Sequence, residues 1–278
     1  MTRVAAIDIG TNSTRLLVAD VEGTRIDDVL RRSVVTRLGE GVDASRRLQP
    51  EPISRTLATI AGYRDELEAL GAERTLAVAT SAARDAANGG EFLAEVGTRF
   101  GFATRLLSGD EEADLTRRGV GAFDATSLVV DIGGGSTELI LGEWRTSLDV
   151  GSVRLTERFL HSDPPTSAEL EAAAAFTAGL LPDLDVSAAI GVAGTVTQLH
   201  AIAGELTAET VERELDRLAS LPIAERAKVP GMDPARAPVV VGGAIVAREV
   251  IRRYRLPKLD WSERDLLDGV ALEAAAPP

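Results

Sequence analysis

The sequence predicts an α/β protein made of two related halves, on three observations. Two apolar runs each end on Asp-Ile-Gly, cross a small-residue turn and continue into a second apolar run, at Asp8-Ile9-Gly10-Thr11-Asn12-Ser13-Thr14 and Asp131-Ile132-Gly133-Gly134-Gly135-Ser136-Thr137. The two stretches superimpose residue for residue, which marks an internal repeat. After each, the apolar period lengthens from that of strands to that of helices, broken by short runs that read as further strands. With 278 residues and 45% hydrophobic content the chain can bury a sizeable core, and the repeat divides it into domains at 1–123 and 124–278.

Residues 3–9, 13–21 and 25–35 read as a strand meander, turned at Gly10 and at Glu22-Gly23-Thr24. From Pro50, the residues Ile53, Leu57, Ile60, Leu67 and Leu70 recur at helical spacing, and Gly71 stops the helix. A strand at 76–79, an Ala-rich helical segment at 81–88, a helix at 91–100 and a strand at 103–107 follow. Residues 110–120 are helical, with acidic residues in the first turn where the helix dipole favours them. Gly119, Gly121 and Asp124-Ala125-Thr126 mark the domain boundary. The second half opens with strands at 127–131, 137–142 and 146–150. A helix starts at Ser167, where Thr166 and Glu169 have capping-box spacing, and a strand at 188–192 meets the turn Ala193-Gly194-Thr195 before another helix. A long helix covers 237–254, a short strand 258–261, and Ser262 with Asp265 caps the last helix; residues 274–278 read as a frayed tail.

The chemistry resides in the turns. Glycines that permit positive φ let successive amides converge on an anion, helped by the hydroxyls of Ser136 and Thr137, while Asp131 at the strand end can hold a divalent cation. Taken alone the second stretch is equally a Gly-rich hairpin turn. Two such turns in register favour a pair of phosphate-binding loops. Amides at the helix start near Gly194, with the Thr195 hydroxyl, offer a further place for a phosphate oxygen.

Composition narrows the classes. Cysteine is absent and His161 and His200 are the only histidines, which removes thiol nucleophiles, cysteine zinc sites and most histidine catalysis. A net charge of -13 argues against nucleic acid and anionic membranes as partners. Lys228 and Lys258 are the only lysines, no G-x-x-x-x-G-K-[ST] loop is present and no G-x-G-x-x-G follows either strand, so phosphate charge must be met by amides, arginine and metal. The first residues pass directly into a strand with no leader pattern, and no apolar run approaches the ~20 residues of a membrane span, so a cytoplasmic location is expected.

The two Asp-Ile-Gly loops, the run Ala79-Thr80-Ser81-Ala82-Ala83-Arg84-Asp85-Ala86-Ala87-Asn88, Ser108-Gly109-Asp110-Glu111-Glu112-Ala113, Gly194-Thr195 and Ser262-Glu263-Arg264, in this order, resemble the exopolyphosphatase and guanosine pentaphosphate phosphohydrolase family over nearly the whole chain. The resemblance implies the fold of the actin, sugar kinase and heat-shock ATPase superfamily, a ribonuclease H-like α/β architecture of two domains with mixed five-stranded sheets about a cleft. It implies removal of the terminal phosphate of inorganic polyphosphate or guanosine pentaphosphate, with Mg2+ or Mn2+ as cofactor. By the same resemblance Asp131 and Asp8 are metal-site carboxylates, and Gly133, Gly134, Gly135, Ser136 and Thr137 surround the phosphate. Gly10, Thr11, Asn12 and Ser13 match the opposing loop, Arg84 matches an arginine on the phosphate chain, Glu112 the proposed base and Glu138 a glutamate implicated in the chemistry. By residue type alone, the lesser alternatives are Glu112 as a solvated first-turn acid and Arg84 as a surface ion-pair partner. Asp110 and Glu111 are expected to crowd Glu112 with like charge and raise its proton affinity. Arg46-Arg47, Arg117-Arg118 and Arg252-Arg253 match no motif. The C-terminal helical region of longer members is expected to be absent, and a homodimer is expected. A small-molecule kinase and a non-catalytic polyphosphate or nucleotide sensor are the competing readings.

Overall fold

Alternating Val, Ile, Leu and Ala in the N-terminal meander produce three antiparallel strands in the computed structural model, which describes residues 1–276: β1 (Thr2–Ile9), β2 (Ser13–Glu22) and β3 (Arg25–Val35). With β4 (Arg74–Ala79) and β5 (Ala103–Leu106) they form a five-stranded sheet of order β3-β2-β1-β4-β5, in which β1, β4 and β5 run parallel. Both faces are covered, which is why β1 reads as a continuous apolar run. Ala5, Ile7 and Ile9 point to one face with the helices Pro50–Ala69 and Gly89–Phe100; Val4 and Ala6 point to the other with Leu115, Leu266, Leu267 and Val270.

The second sheet has six strands in the order β10-β11-β9-β6-β7-β8, with β6 (Ser127–Ile132), β7 (Thr137–Leu141), β8 (Trp144–Leu148), β9 (Ala188–Val192), β10 (Leu206–Thr207) and β11 (Lys258–Trp261). The sixth strand departs from the expected five: β10 has two residues, too short for any period to register. Leu128, Val130 and Ile132 of β6 pack with Leu155, Val196, Leu215 and Ile245 from the helices of this half. The long helix is shorter than expected, Val240–Arg253, because residues Pro234–Arg236 form a separate 3-10 turn; the segment expected helical over 81–88 ends at Asp85.

The chain divides into one unit of Met1–Gly121 with the segment from Arg264 onward, and another of Ala122–Glu263. This differs from the expected 124–278 domain at its C-terminal end. The last helix, Leu266–Ala275, packs Leu266, Leu267, Val270 and Ala271 on the apolar residues of β1 and β2. Two arginines of the first sheet hold its start. Arg31 grips Asp268 with two hydrogen bonds of 2.8 and 3.2 Å, and Arg15 is ion-paired with Asp265. Asp265 is the cap, in a reciprocal box with Asp268; Ser262 is not. The expected frayed tail is helical to Ala275, and residues 277 and 278 lie outside the described part. Among the described residues no helix is long and apolar enough to cross a membrane.

Gly119 is a packing residue as well as a neighbour of the boundary. It lies inside the helix Gly109–Val120, where a Cβ would overlap the Asp265 carbonyl oxygen, and a Cβ at Gly269 would overlap the Leu115 carbonyl oxygen. The two helices therefore touch backbone to backbone through a glycine on each. Gly269→Val should force them apart and destabilise the protein by roughly 1–3 kcal/mol, read as a lower denaturant midpoint at unchanged slope; a wild-type midpoint would show that the contact yields freely.

Candidate active site

The parallel strands bring the motif residues to matching sheet ends. Ile9 is level with Ala79, and Ala79 with Leu106, so residues 10–13, 80–84 and 107–112 all leave the carboxyl end of the first sheet. In the second sheet Asp131 is level with Val192, so residues 133–136 and 193–195 leave together. Carboxyl ends of parallel strands are where open α/β sheets bind ligands.

The two Asp-Ile-Gly loops have the same construction. Gly10 N–H donates to Ser13 O and Gly133 N–H to Ser136 O, both at 3.0 Å, and a Cβ on either glycine would lie 3.0 Å from that same oxygen. Neither glycine has the expected positive φ; the close turn is what excludes a side chain. Each loop is tied down through its carbonyls. Thr11 O accepts from Gly39 N–H (2.8 Å) and Asn12 O from the amides of Thr36 and Arg37 (3.0 and 2.9 Å). Gly133 O accepts from Ser152 N–H (3.0 Å) and Gly134 O from the amides of Val153 and Arg154 (2.8 and 3.1 Å). The Arg154 guanidinium, buried, donates to Gly135 O at 2.6 Å. Gly151 permits this seat, since its Cβ would come within 2.6 Å of the Gly134 carbonyl. With the carbonyls committed, the amides of Gly134 and Gly135 take no part in these bonds.

Counting outward from the turns, Asp8 pairs across the hairpin with Arg15, whereas Asp131 pairs with Glu138. The two halves thus differ in what faces the aspartate. Arg15 sits 2.7 Å from Asp8 Oδ2 and also bridges to Asp265. Burial pushes the Asp8 carboxyl up, with Arg15 opposing it; burial would lower Arg15, but Asp265 and Asp8 override it and hold the guanidinium charged. Asp8 Oδ1 and Asn12 Nδ2 are buried and meet no hydrogen-bond partner among the described residues. Glu138 is 0% exposed, and Ser147, directly opposite on β8, donates its hydroxyl to Glu138 Oε1 at 2.7 Å.

Glu112 lies in the first turn of the helix Gly109–Val120 and is 7% exposed, not a solvated acid. Arg84 Nη1 donates to Glu112 Oε2 at 3.0 Å and to Leu107 O at 2.9 Å. The contact shown for the Glu112 carboxylate is to a cation, Arg84. Glu111 folds back to accept from the Ser108 amide and hydroxyl, both at 2.8 Å, in a capping box that holds its own carboxyl below the usual range.

Gly194 and Thr195 open the helix Ala193–Ala203, whose N-cap, Val192, supplies no side-chain bond; Ala193 is in the left-handed region at φ 66°. With Ser152, Gln198, Arg236, Val239 and Val240 they line a small, half-open pocket, and a Cβ on Gly194 would overlap the Arg236 guanidinium. No group of three His, Asp or Glu side chains in metal-holding arrangement occurs among the described residues. Mg2+ needs fewer: one or two carboxylates with phosphate and water complete its octahedron. The neighbouring carboxylates of Asp131 and Glu138, level on β6 and β7, fit such an ion.

The profile of the Ppx/GppA phosphatase family matches residues 17–276. The chain belongs to that family. It is 41% identical to Exopolyphosphatase 2 of Mycobacterium tuberculosis, with 99% of both chains covered. A crystal structure of an exopolyphosphatase-like protein is 32% identical and superimposes with TM-score 0.92 over 98% of this chain and 97% of that one. The Aquifex aeolicus PPX-GPPA enzyme is 30% identical, with TM-score 0.80 over 98% and 99%.

Within this Ppx/GppA chain, the first unit brings together Asp8, Gly10, Thr11, Asn12, Ser13, Arg84 and Glu112, and the second brings together Asp131, Gly133, Gly134, Gly135, Ser136, Thr137, Glu138, Gly194 and Thr195. Sequence reasoning missed Arg15, Asp265, Ser147, Arg154, Gly151 and Arg236. Hairpin arithmetic from each turn would have found Arg15; the others depend on contacts remote in sequence.

Arg15 is the test of the first loop's support. Arg15→Met leaves Asp8 and Asp265 buried without their cation, a loss of roughly 3–5 kcal/mol. The Asp8 carboxyl is already raised by burial, so removing the arginine raises it further. The folded variant then prefers a protonated Asp8 carboxyl, and the deficit against wild type should widen as pH rises through the carboxylate range and shrink on acidification. A pH-independent deficit in urea titrations would place the effect elsewhere.

Proposed function

We propose that this Ppx/GppA phosphatase is an exopolyphosphatase, releasing the terminal phosphate of inorganic polyphosphate by attack of water on the end phosphoanhydride. The observation that carries the reading is the bonded pair Arg84–Glu112, at the sheet end that also presents residues 10–13. An arginine fork recognises phosphate oxygens as well as a carboxylate. In the absence of substrate the fork neutralises the buried glutamate. A terminal phosphate competes for Arg84, and Glu112, released from it, takes the proton of the attacking water. The water oxygen bonds to phosphorus, the bridging oxygen leaves with its electron pair on the shortened chain, and Glu112 returns its proton to solvent. Phosphoryl transfer asks little covalent chemistry of the protein, so the remaining work is positioning by glycine-loop amides. A divalent ion, Mg2+ or Mn2+, held through Asp131 with Glu138 as a further carboxylate, would neutralise charge on the transferring and leaving phosphates.

Guanosine pentaphosphate ends in the same group and is the second substrate to assay. Phosphate release should be measured from long and short polyphosphate, guanosine pentaphosphate and ATP, with magnesium and with chelator. Release chiefly from the guanosine nucleotide would replace polyphosphate as the substrate.

Glu112→Gln keeps the shape but cannot accept the proton, so single-turnover release should fall ~10²- to 10⁴-fold while polyphosphate affinity changes far less. Wild-type turnover in that variant rejects Glu112 as base, and binding without turnover in the wild type marks a sensor. Separately, chelation should abolish release and Asp131→Asn should lose most activity while its thermal midpoint stays within a few degrees. A fully active Asp131→Asn protein removes that carboxylate from the metal site.

A further inference from the structure

One short stretch of chain holds the second glycine loop from behind. Gly133 O and Gly134 O accept from the amides of residues 152–154, the opening turn of the helix Ser152–Phe159, and Gly135 O accepts from Arg154 Nε at 2.6 Å. No backbone amide among the described residues reaches Gly135 O. Counted from the aspartate that opens each loop, the corresponding carbonyl of the first loop is Asn12 O, which two backbone amides hold, those of Thr36 and Arg37. The second loop therefore entrusts to one side chain a peptide that the first loop fixes through backbone.

In a trans peptide the N–H of the following residue points away from the carbonyl. With the carbonyls of Gly133, Gly134 and Gly135 turned toward residues 152–154, the amides of Gly134, Gly135 and Ser136 face the other way, three in succession. None of the three meets an acceptor among the described residues, although Gly135 and Ser136 are buried. Buried amides without partners are rare in folded proteins, and a run of them is what an anion-binding nest consists of. Arg154, itself buried, bonds on the carbonyl side and so acts on the nest from behind.

We propose that Arg154 is a positioning residue for phosphoryl transfer: its bond to Gly135 O orients the Gly135–Ser136 peptide, and with it the Ser136 amide that meets the transferring phosphoryl group. The proposal rests on the polyphosphate hydrolase reading above and adds to it a residue that touches no substrate. Because the donor is Nε, bond and charge can be separated. Glutamine carries a neutral N–H donor as many bonds from Cα as arginine Nε, whereas methionine has a similar reach and no donor.

The test compares Arg154→Met and Arg154→Gln with wild type at fixed magnesium. It measures kcat and KM for phosphate release from polyphosphate, inhibition by orthovanadate as a mimic of the transferring group, and the amide NMR resonances of the loop. Arg154→Met should lower kcat ~10²-fold with KM within about threefold, and weaken orthovanadate by the same factor as kcat, because slight misplacement of a preorganised donor is felt chiefly in the transition state. Arg154→Gln should recover kcat to within about tenfold of wild type, a neutral hydrogen bond being about half as strong as a charge-assisted one. The Ser136 amide resonance should shift in Arg154→Met and return toward its place in Arg154→Gln, while that of Gly134, whose preceding carbonyl the Ser152 amide holds, stays. Leu155→Ala, a core change in the same helix, should lower the thermal midpoint yet leave kcat within about twofold. Wild-type kcat in Arg154→Met, a Gln variant as impaired as the Met one, or an equal loss of kcat in Leu155→Ala overturns the proposal. If the wild type releases no phosphate from polyphosphate, the hydrolase reading falls, and orthovanadate affinity with the Ser136 resonance still decides Arg154. A wild type that binds no orthovanadate overturns the proposal outright.

Discussion

Arg15 stands between two buried carboxylates from opposite ends of the chain, Asp8 on the first strand and Asp265 at the start of the last helix. The rest of the first unit depends on that triad. It neutralises an aspartate that the fold places at the base of the glycine loop, and it fixes the helix that covers one face of the sheet. The cost of burying the charged groups is offset in part by further bonds: Asp265 also accepts from the Leu267 amide, whereas Asp8 Oδ1 has no hydrogen-bond partner among the described residues. The equivalent position in the second unit carries Glu138, so the same hairpin supplies two carboxylates there and one there would be neutralised here.

The two halves share a method of preorganisation. Each loop has its carbonyls drawn away by a neighbouring segment, residues 36–39 in one and 152–154 in the other. A peptide whose oxygen is held behind presents its N–H in front, and a donor fixed before the substrate arrives loses nothing to reorganisation when charge develops. The Arg84–Glu112 pair applies the same economy to side chains: each holds the other in place.

What could be read from the sequence was whatever lay within one element or its immediate turn. The strand-loop-strand repeat, the capping box at Thr166 and Glu169 and most helix spans are local patterns, and they appear in the structure as read. Partnerships across elements were not legible. Ser147 looks like any polar residue of an outer strand until register sets it opposite Glu138, and Arg154 looks like a solvated helix residue until the Gly135 carbonyl claims it. Glycine was legible as a constraint but not as to kind: Gly10 and Gly133 serve close approach rather than positive φ, and Gly119 serves a helix contact. The last helix shows an apolar face in its sequence, but a period cannot say which sheet that face will cover.

The return of that helix has a consequence for synthesis. Strands β1 and β2 are synthesised long before residues 264–275, which complete the cover over the face formed by Val4, Ala6, Leu17 and Ala19. The middle unit, contiguous in sequence, can close its own core earlier. Folding order is thereby inverted with respect to chain order, and the helix that carries Glu112 gains its backbone-to-backbone neighbour only at the end. A nascent chain arrested before residue 264 would hold a sheet face lacking part of its apolar cover, a natural client for chaperones.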